Sequence, residues 1–211
     1  MPAPELKEWV SLIKDGLLGL AALVTMILAI YGVRTWKRDL VGKEVYLAAK
    51  NLVKESHLAA KAARKLRQPI SPYEKRSFTE KELKNTTENE RWRLSEAEAY
   101  KKRISAFARE IERYDSAKLE LRVLVGSKIY EGFLPFGSLL TEAINRVNHY
   151  LDVIQDYSRT VFSDSEEVIE AQDALYPSQN MDDELSQKIA DTREAGEVSL
   201  LLYLHRKSIY G

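Results

Sequence analysis

The longest apolar run in the chain lies near its N-terminus, where the eighteen residues Gly16 to Val33 (GLLGLAALVTMILAIYGV) carry no charge. As a helix they span about 27 Å, close to the roughly 30 Å hydrocarbon core of a bilayer. Trp9 precedes the run, and Tyr31 and Trp36 close it, in the manner of an aromatic belt. Lys14 and Asp15 stand just outside its start. Beyond Trp36 the pattern changes to apolar residues spaced alternately four and three apart: Val41, Val45, Ala48, Leu52, Ala59, Ala62, Leu66, with Glu55 the one break. A second stripe follows the same rhythm through Ala97, Tyr100, Ile104, Phe107, Ile111, Tyr114, Leu121 and Val125, interrupted by Lys118. A third runs Leu140, Ile144, Val147, Leu151, Ile154. Such a seam predicts helices packed at shallow angles, as in a bundle or a coiled coil.

These patterns predict an all-α chain: one N-terminal transmembrane helix followed by a cytosolic antiparallel helical bundle with coiled-coil-like long helices. The divisions are 1–15, a short extracytoplasmic N-terminus; 16–33, the membrane helix; 34–67, a long juxtamembrane helix; 68–89, a polar linker; and 90–211, the rest of the bundle. The two long segments are expected to lie antiparallel across the linker, which carries Pro69 and Pro72. Gly126 is placed to terminate the second long helix and Ser138 to cap the third. A fourth helix is expected near Ser163 or Ser165, with Glu166 and Glu167 in its first turn, and a fifth after Asn180. The run Val198–Leu204 suits a helix better than a strand, because the chain offers no matching second strand.

A cleaved signal peptide explains the first run less well than an anchor does. Tyr31 falls where a small residue is needed at a cleavage site, and the basic cluster behind it has the form of a stop-transfer flank. A buried core helix is also a poorer fit, since eighteen uncharged residues is long for one. Arg34, Lys37, Arg38 and Lys43 face only Asp39 on the C-terminal side, so the positive-inside rule places the body in the cytosol and the N-terminus outside. Trp9, Tyr31, Arg34, Trp36, Lys37 and Arg38 are the expected membrane-interface residues. At 100° per residue, Ala21, Ala22, Thr25, Ala29 and Gly32 share one face, and small residues on one face let helices approach closely in lipid.

Composition narrows the chemistry. Basic and acidic residues both number 32, so net charge gives no argument for nucleic acid. The absence of cysteine excludes a disulfide scaffold, a thiolate metal site and a cysteine nucleophile. Net neutrality hides a division: residues 34–126 hold 23 basic against 14 acidic residues, and residues 152–197 hold 3 against 13. The acidic part is able to fold back on the basic one. The run Lys101-Lys102-Arg103 lacks the aromatic interleaving of a nucleic-acid platform. Among His57, His149 and His205, only the His149–Asp152 pair has ligand spacing, and a metal needs three or four donors. A HEPN-type ribonuclease would pair an arginine with a histidine four to six residues on, whereas Arg146 and His149 leave only two between them. No P-loop, HExxH or GxSxG motif occurs.

The juxtamembrane string Thr35-Trp36-Lys37-Arg38-Asp39-Leu40-Val41-Gly42-Lys43 resembles that of uncharacterised bacterial single-pass membrane proteins, which follow a membrane helix with Trp, two basic residues, Leu and Gly. Ala48–Pro72, Leu119–Gly126 and Leu139–Tyr157 are similar as well, so the likeness covers residues 10–157. The resemblance implies the same architecture in a bacterial inner membrane and transfers no functional residue.

The expectation is therefore a non-enzymatic interaction or assembly protein, with no catalytic, cofactor-binding or metal-ligating residue assigned. Its partners are the lipid bilayer and either copies of itself or another protein met through the bundle, with no nucleic acid. Two alternatives are an oligomeric single-pass effector that perturbs the bilayer, as in phage defence, and a membrane-tethered ribonuclease.

Overall fold

The computed structural model describes residues 3–155, 162–176 and 183–204, with side chains from residue 9 onward. The described residues form seven α-helices and a 3₁₀ turn, with no strand among them. The first helix, α1 (Ala3–Leu66), is by far the longest. No proline falls between Pro4, in its first turn, and Pro69, whose ring restricts the residue before it and so ends the helix. By its contacts the chain divides into residues 1–45 and residues 46–211.

In the first unit every residue from Trp9 to Arg34 is exposed. The second unit is a helical bundle. A 3₁₀ turn (Pro72–Glu74) and α2 (Glu80–Asn85) lead into α3 (Glu88–Val125). Then follow α4 (Ser127–Gly132), α5 (Leu134–Gln155), α6 (Glu166–Leu175) and α7 (Glu184–Leu204). Asn51 shares a groove with Glu120 at one end, and Leu66 shares one with Arg103 at the other, so α1 and α3 run antiparallel as expected. Tyr114 packs edge-on to Phe136 at 5.2 Å and Tyr100 to Tyr150 at 5.4 Å, which makes α5 antiparallel to α3. His57 meets Glu197 and Arg67 meets Asp183, so α7 runs antiparallel to α1. The result is an up-down-up-down arrangement of α1, α3, α5 and α7 with α6 packed on α5.

The core follows the three stripes. Val45, Ala48, Leu52, Ala59 and Leu66 are buried on α1; Tyr100, Phe107, Tyr114 and Leu121 on α3; and Leu140, Val147 and Ile154 on α5. Val41, the first residue of the first stripe, is exposed. Gly126 ends α3 with φ +89°, the conformation that favours glycine there. Ser165 precedes α6, Leu185 and Ile189 are buried on α7, and Val198–Leu204 is helical.

Two local expectations need correction. Ser138 does not cap α5, which starts a turn earlier at Leu134; Ser138 Oγ instead donates to Leu134 O at 3.2 Å. Pro135 sits in the first turn, where its missing N–H costs nothing. The connection at 68–89 closes the α1–α3 hairpin but has structure of its own. Thr79 and Glu82, and then Thr87 and Glu90, form reciprocal capping boxes at the starts of α2 and α3.

Candidate functional site

The residues expected to meet lipid all lie on the first unit. An eighteen-residue window of α1 has mean hydropathy 2.2 with none of it buried. Trp9, Tyr31, Arg34, Trp36, Lys37 and Arg38 are exposed, and Arg38 has Asp39 within ion-pair range, at 3.8 Å. Ala21, Ala22, Thr25, Ala29 and Gly32 are exposed too, and a Cβ added at Gly32 would meet nothing within 4 Å. Thr25 Oγ1 donates to Ala21 O at 2.8 Å. That bond satisfies the hydroxyl inside its own helix.

The polar chemistry of the bundle gathers around two buried arginines that composition places on the surface. Arg67, 1% exposed, donates from Nε to Leu175 O at 3.0 Å and from both Nη atoms to Asp183 at 2.7 Å each. Its Nη1 also reaches Ser186 Oγ at 3.3 Å. Asp183 in turn accepts from Ser186 N at 2.9 Å, as an N-cap residue of α7. Arg103 donates to the carbonyls of Gln68 and Pro69 and to both oxygens of Glu74, at 2.8 and 2.5 Å for Glu74. One guanidinium thus ties the end of α1 to α6 and α7, and the other ties the connection to α3.

Between them lies a buried aromatic and carboxyl cluster. Tyr150 Oη donates to Glu96 Oε2 at 3.2 Å and accepts from Gln172 Nε2 at 3.4 Å. Tyr100 packs on Tyr150, and Tyr176 lies 6.4 Å from Tyr150. Burial pushes the Glu96 carboxyl above its ordinary value, against the Tyr150 hydrogen bond. Burial likewise pushes the Tyr100 and Tyr150 hydroxyls far up, so both stay neutral and act as hydrogen-bonding groups only. Glu96 also lines an open groove of about 1180 Å³ shared with Lys75, Trp92 and Phe162.

The other residues weighed for chemistry are not brought together. His149 and Asp152 are exposed on α5, and no group of three metal-ligating side chains occurs among the described residues. Arg146 is held by Glu142 at 2.6 Å and by Ala174 O at 3.1 Å. His57 pairs with Glu197 at 3.0 Å. His205 lies outside the described residues. Lys101-Lys102-Arg103 is not a surface run, because Arg103 is buried against Glu74. The acidic part does meet the basic one, at Arg67–Asp183 and at His57–Glu197.

Sequence spacing missed Arg67, Arg103 and Glu96, since their partners lie up to 116 residues away. The capping boxes, by contrast, are written in the sequence as Thr-x-x-Glu at Thr79 and Thr87. No family model, curated protein or solved structure matches this chain.

Proposed function

We propose that this chain is a membrane-anchored helical assembly protein that works through its surfaces rather than by catalysis. The observation that carries the reading is the uncharged run Gly16–Val33, exposed along its whole length. Soluble monomers rarely expose an apolar patch above roughly a few hundred Å². A bilayer covers such a surface at no cost, and the helix satisfies its own backbone polar groups within it. The basic excess after Val33 supports an N-terminus outside and a bundle in the cytosol, in a bacterial inner membrane. The bundle's arginines support a non-catalytic role, because buried Arg67 and Arg103 and partly exposed Arg146 each brace one element against another.

The chain has no cysteine, so single-cysteine labelling is unambiguous. Trp9→Cys should react with an impermeant maleimide on intact cells, and Tyr73→Cys should react only after lysis. The protein should also stay with membranes in alkaline carbonate. Release by carbonate, or equal labelling of both sites on intact cells, would refute the anchor or its direction.

A second reading, an oligomeric effector that perturbs the bilayer, is favoured by the uncovered face at Ala21, Ala22, Thr25, Ala29 and Gly32. Ala29→Leu should then shrink the detergent-solubilised particle and abolish any toxicity of overexpression. An unchanged particle removes this reading.

A further inference from the structure

We infer that the end of the bundle at which Tyr46 enters rests on the headgroups of a lipid surface, an inference that depends on the anchor reading above. Across the four main helices of the bundle, large exposed apolar side chains concentrate at that end, with Leu94 on α3 the exception at the other. They include Leu47 on α1, Leu119 and Val123 on α3, Leu134 at the start of α5, and Val198 and Leu202 on α7. Val123 and Leu202 are 78% and 77% exposed. The stretches 48–66, 95–118, 135–155 and 184–197, further along the same helices, expose no large hydrophobic residue.

Three contacts place these residues in the same half of the bundle. Asn51 shares a groove with Glu120, Glu197 pairs with His57, and a Cβ on Gly196 would fall 2.8 Å from the ring of Phe133. Leu119, Leu134 and Val198 therefore belong to the same end as Leu47. The charge there suits an anionic surface. Lys50, Arg122 and Lys128 are exposed, against Glu120 and Glu131. Arg122 lies over the Tyr130 ring at 4.9 Å, a cation and an aromatic presented together as at a membrane interface.

Lipid fits this end better than a second copy does. A stable dimer needs about 800 Å² of contiguous surface on each partner. Here the apolar residues stand on four different helices around one end. Tyr46 is only thirteen residues from Val33 in the sequence, so a surface holding that run is within the chain's reach of this end. Apolar side chains among cations are the chemistry of an interfacial contact.

The test uses the full chain reconstituted in mixed phosphatidylcholine–phosphatidylglycerol vesicles. Val123→Cys, Leu202→Cys and Tyr73→Cys each carry a polarity-sensitive fluorophore; Tyr73, 99% exposed at the opposite end, is the reference. Labels at 123 and 202 should emit to the blue of the label at 73 and be quenched by nitroxide-bearing lipid, while 73 is not. If carbonate leaves the protein on the vesicles but 123 and 202 behave like 73, the inference fails and the anchor stands. A blue shift without lipid quenching assigns this end to a second copy and overturns the lipid contact. Loss of the protein from the vesicles in carbonate overturns the anchor reading, and this inference with it.

Discussion

Arg67 and Asp183 are joined by two parallel hydrogen bonds of 2.7 Å, with the guanidinium almost wholly shielded from water. The pair links the C-terminal end of α1 to the first turn of α7, across 116 residues of chain. Removing one member of a buried pair leaves an uncompensated charge, at a cost of about 3–5 kcal/mol. Arg67→Ala should therefore be strongly destabilising in urea titrations followed by circular dichroism. Asp183→Asn should be costly as well, because it leaves the buried Arg67 guanidinium without its counter-charge even though asparagine can still accept from Ser186 N. Equal and small effects would mean the pair is not a brace.

The ion pairs and the buried carboxyl give stability opposite dependences on pH. The Arg103 hydrogen bond is the main cause that brings Glu74 from 4.5 to about 2. Burial would raise Asp183, but hydrogen bonds from Arg67 and Ser186 outweigh it and bring that carboxyl from 3.8 to about 2. Both folded values are depressed, so the stability they supply is complete above about pH 4.5 and is lost as the pH falls toward 2. Glu96 acts in the other sense. Burial raises its carboxyl, so its contribution grows as the pH falls through that raised value toward 4.5. The melting temperature should rise on mild acidification and fall steeply below it. Glu96→Gln should remove the first rise, leave the acid limb and raise the melting temperature at neutral pH. A rise that persists in Glu96→Gln assigns it to another group.

The bundle was legible because its core is a local pattern. Spacing alone marks Ala48, Leu52, Phe107, Tyr114, Val147 and Ile154, since residues three and four apart share a helix face. It could not mark Arg67 or Arg103, whose burial depends on acceptors brought in from other elements. A charged residue type argues for the surface until such partners are known. Which residues of 16–33 share a face was equally legible from periodicity. What covers that face was not, because a helix records its sides in sequence and its partners only in three dimensions.

Gly196 is a tight point of the packing around Phe133. Alanine is worth about 1 kcal/mol more than glycine in a helix interior, so Gly196→Ala would stabilise an uncrowded helix. Here the new Cβ would lie 2.8–3.0 Å from three ring atoms of Phe133, which is itself fully buried and has its carbonyl bonded to Tyr114 Oη at 3.2 Å. Overpacking of this kind costs about 1–3 kcal/mol, so the variant should unfold at lower urea concentration. Gly132→Ala is the control, because its Cβ would meet only Ser199 Oγ at 3.6 Å. A stabilised Gly196→Ala would mean that the ring moves aside freely.

Glu55 is the break in the first apolar stripe, and it is buried where the stripe faces α3. Lys54 reaches its Oε1 at 3.0 Å from a mostly exposed position, while its buried Oε2 has no partner among the described residues. A half-satisfied buried carboxylate costs more than an apolar group of similar size, and such polar seam residues persist where they fix helix register. Glu55→Leu should therefore stabilise the bundle by about 1–4 kcal/mol. Its second consequence separates register from mere tolerance. If Glu55 sets the α1–α3 register, the leucine variant should melt higher yet form mixed pairings, detected as loss of a unique disulfide between cysteines placed at 51 and 120. A variant that is more stable and still gives that single disulfide shows that the register is set by the rest of the stripe, by Ala48, Leu52 and Ala59 against Tyr114, Ala117 and Leu121.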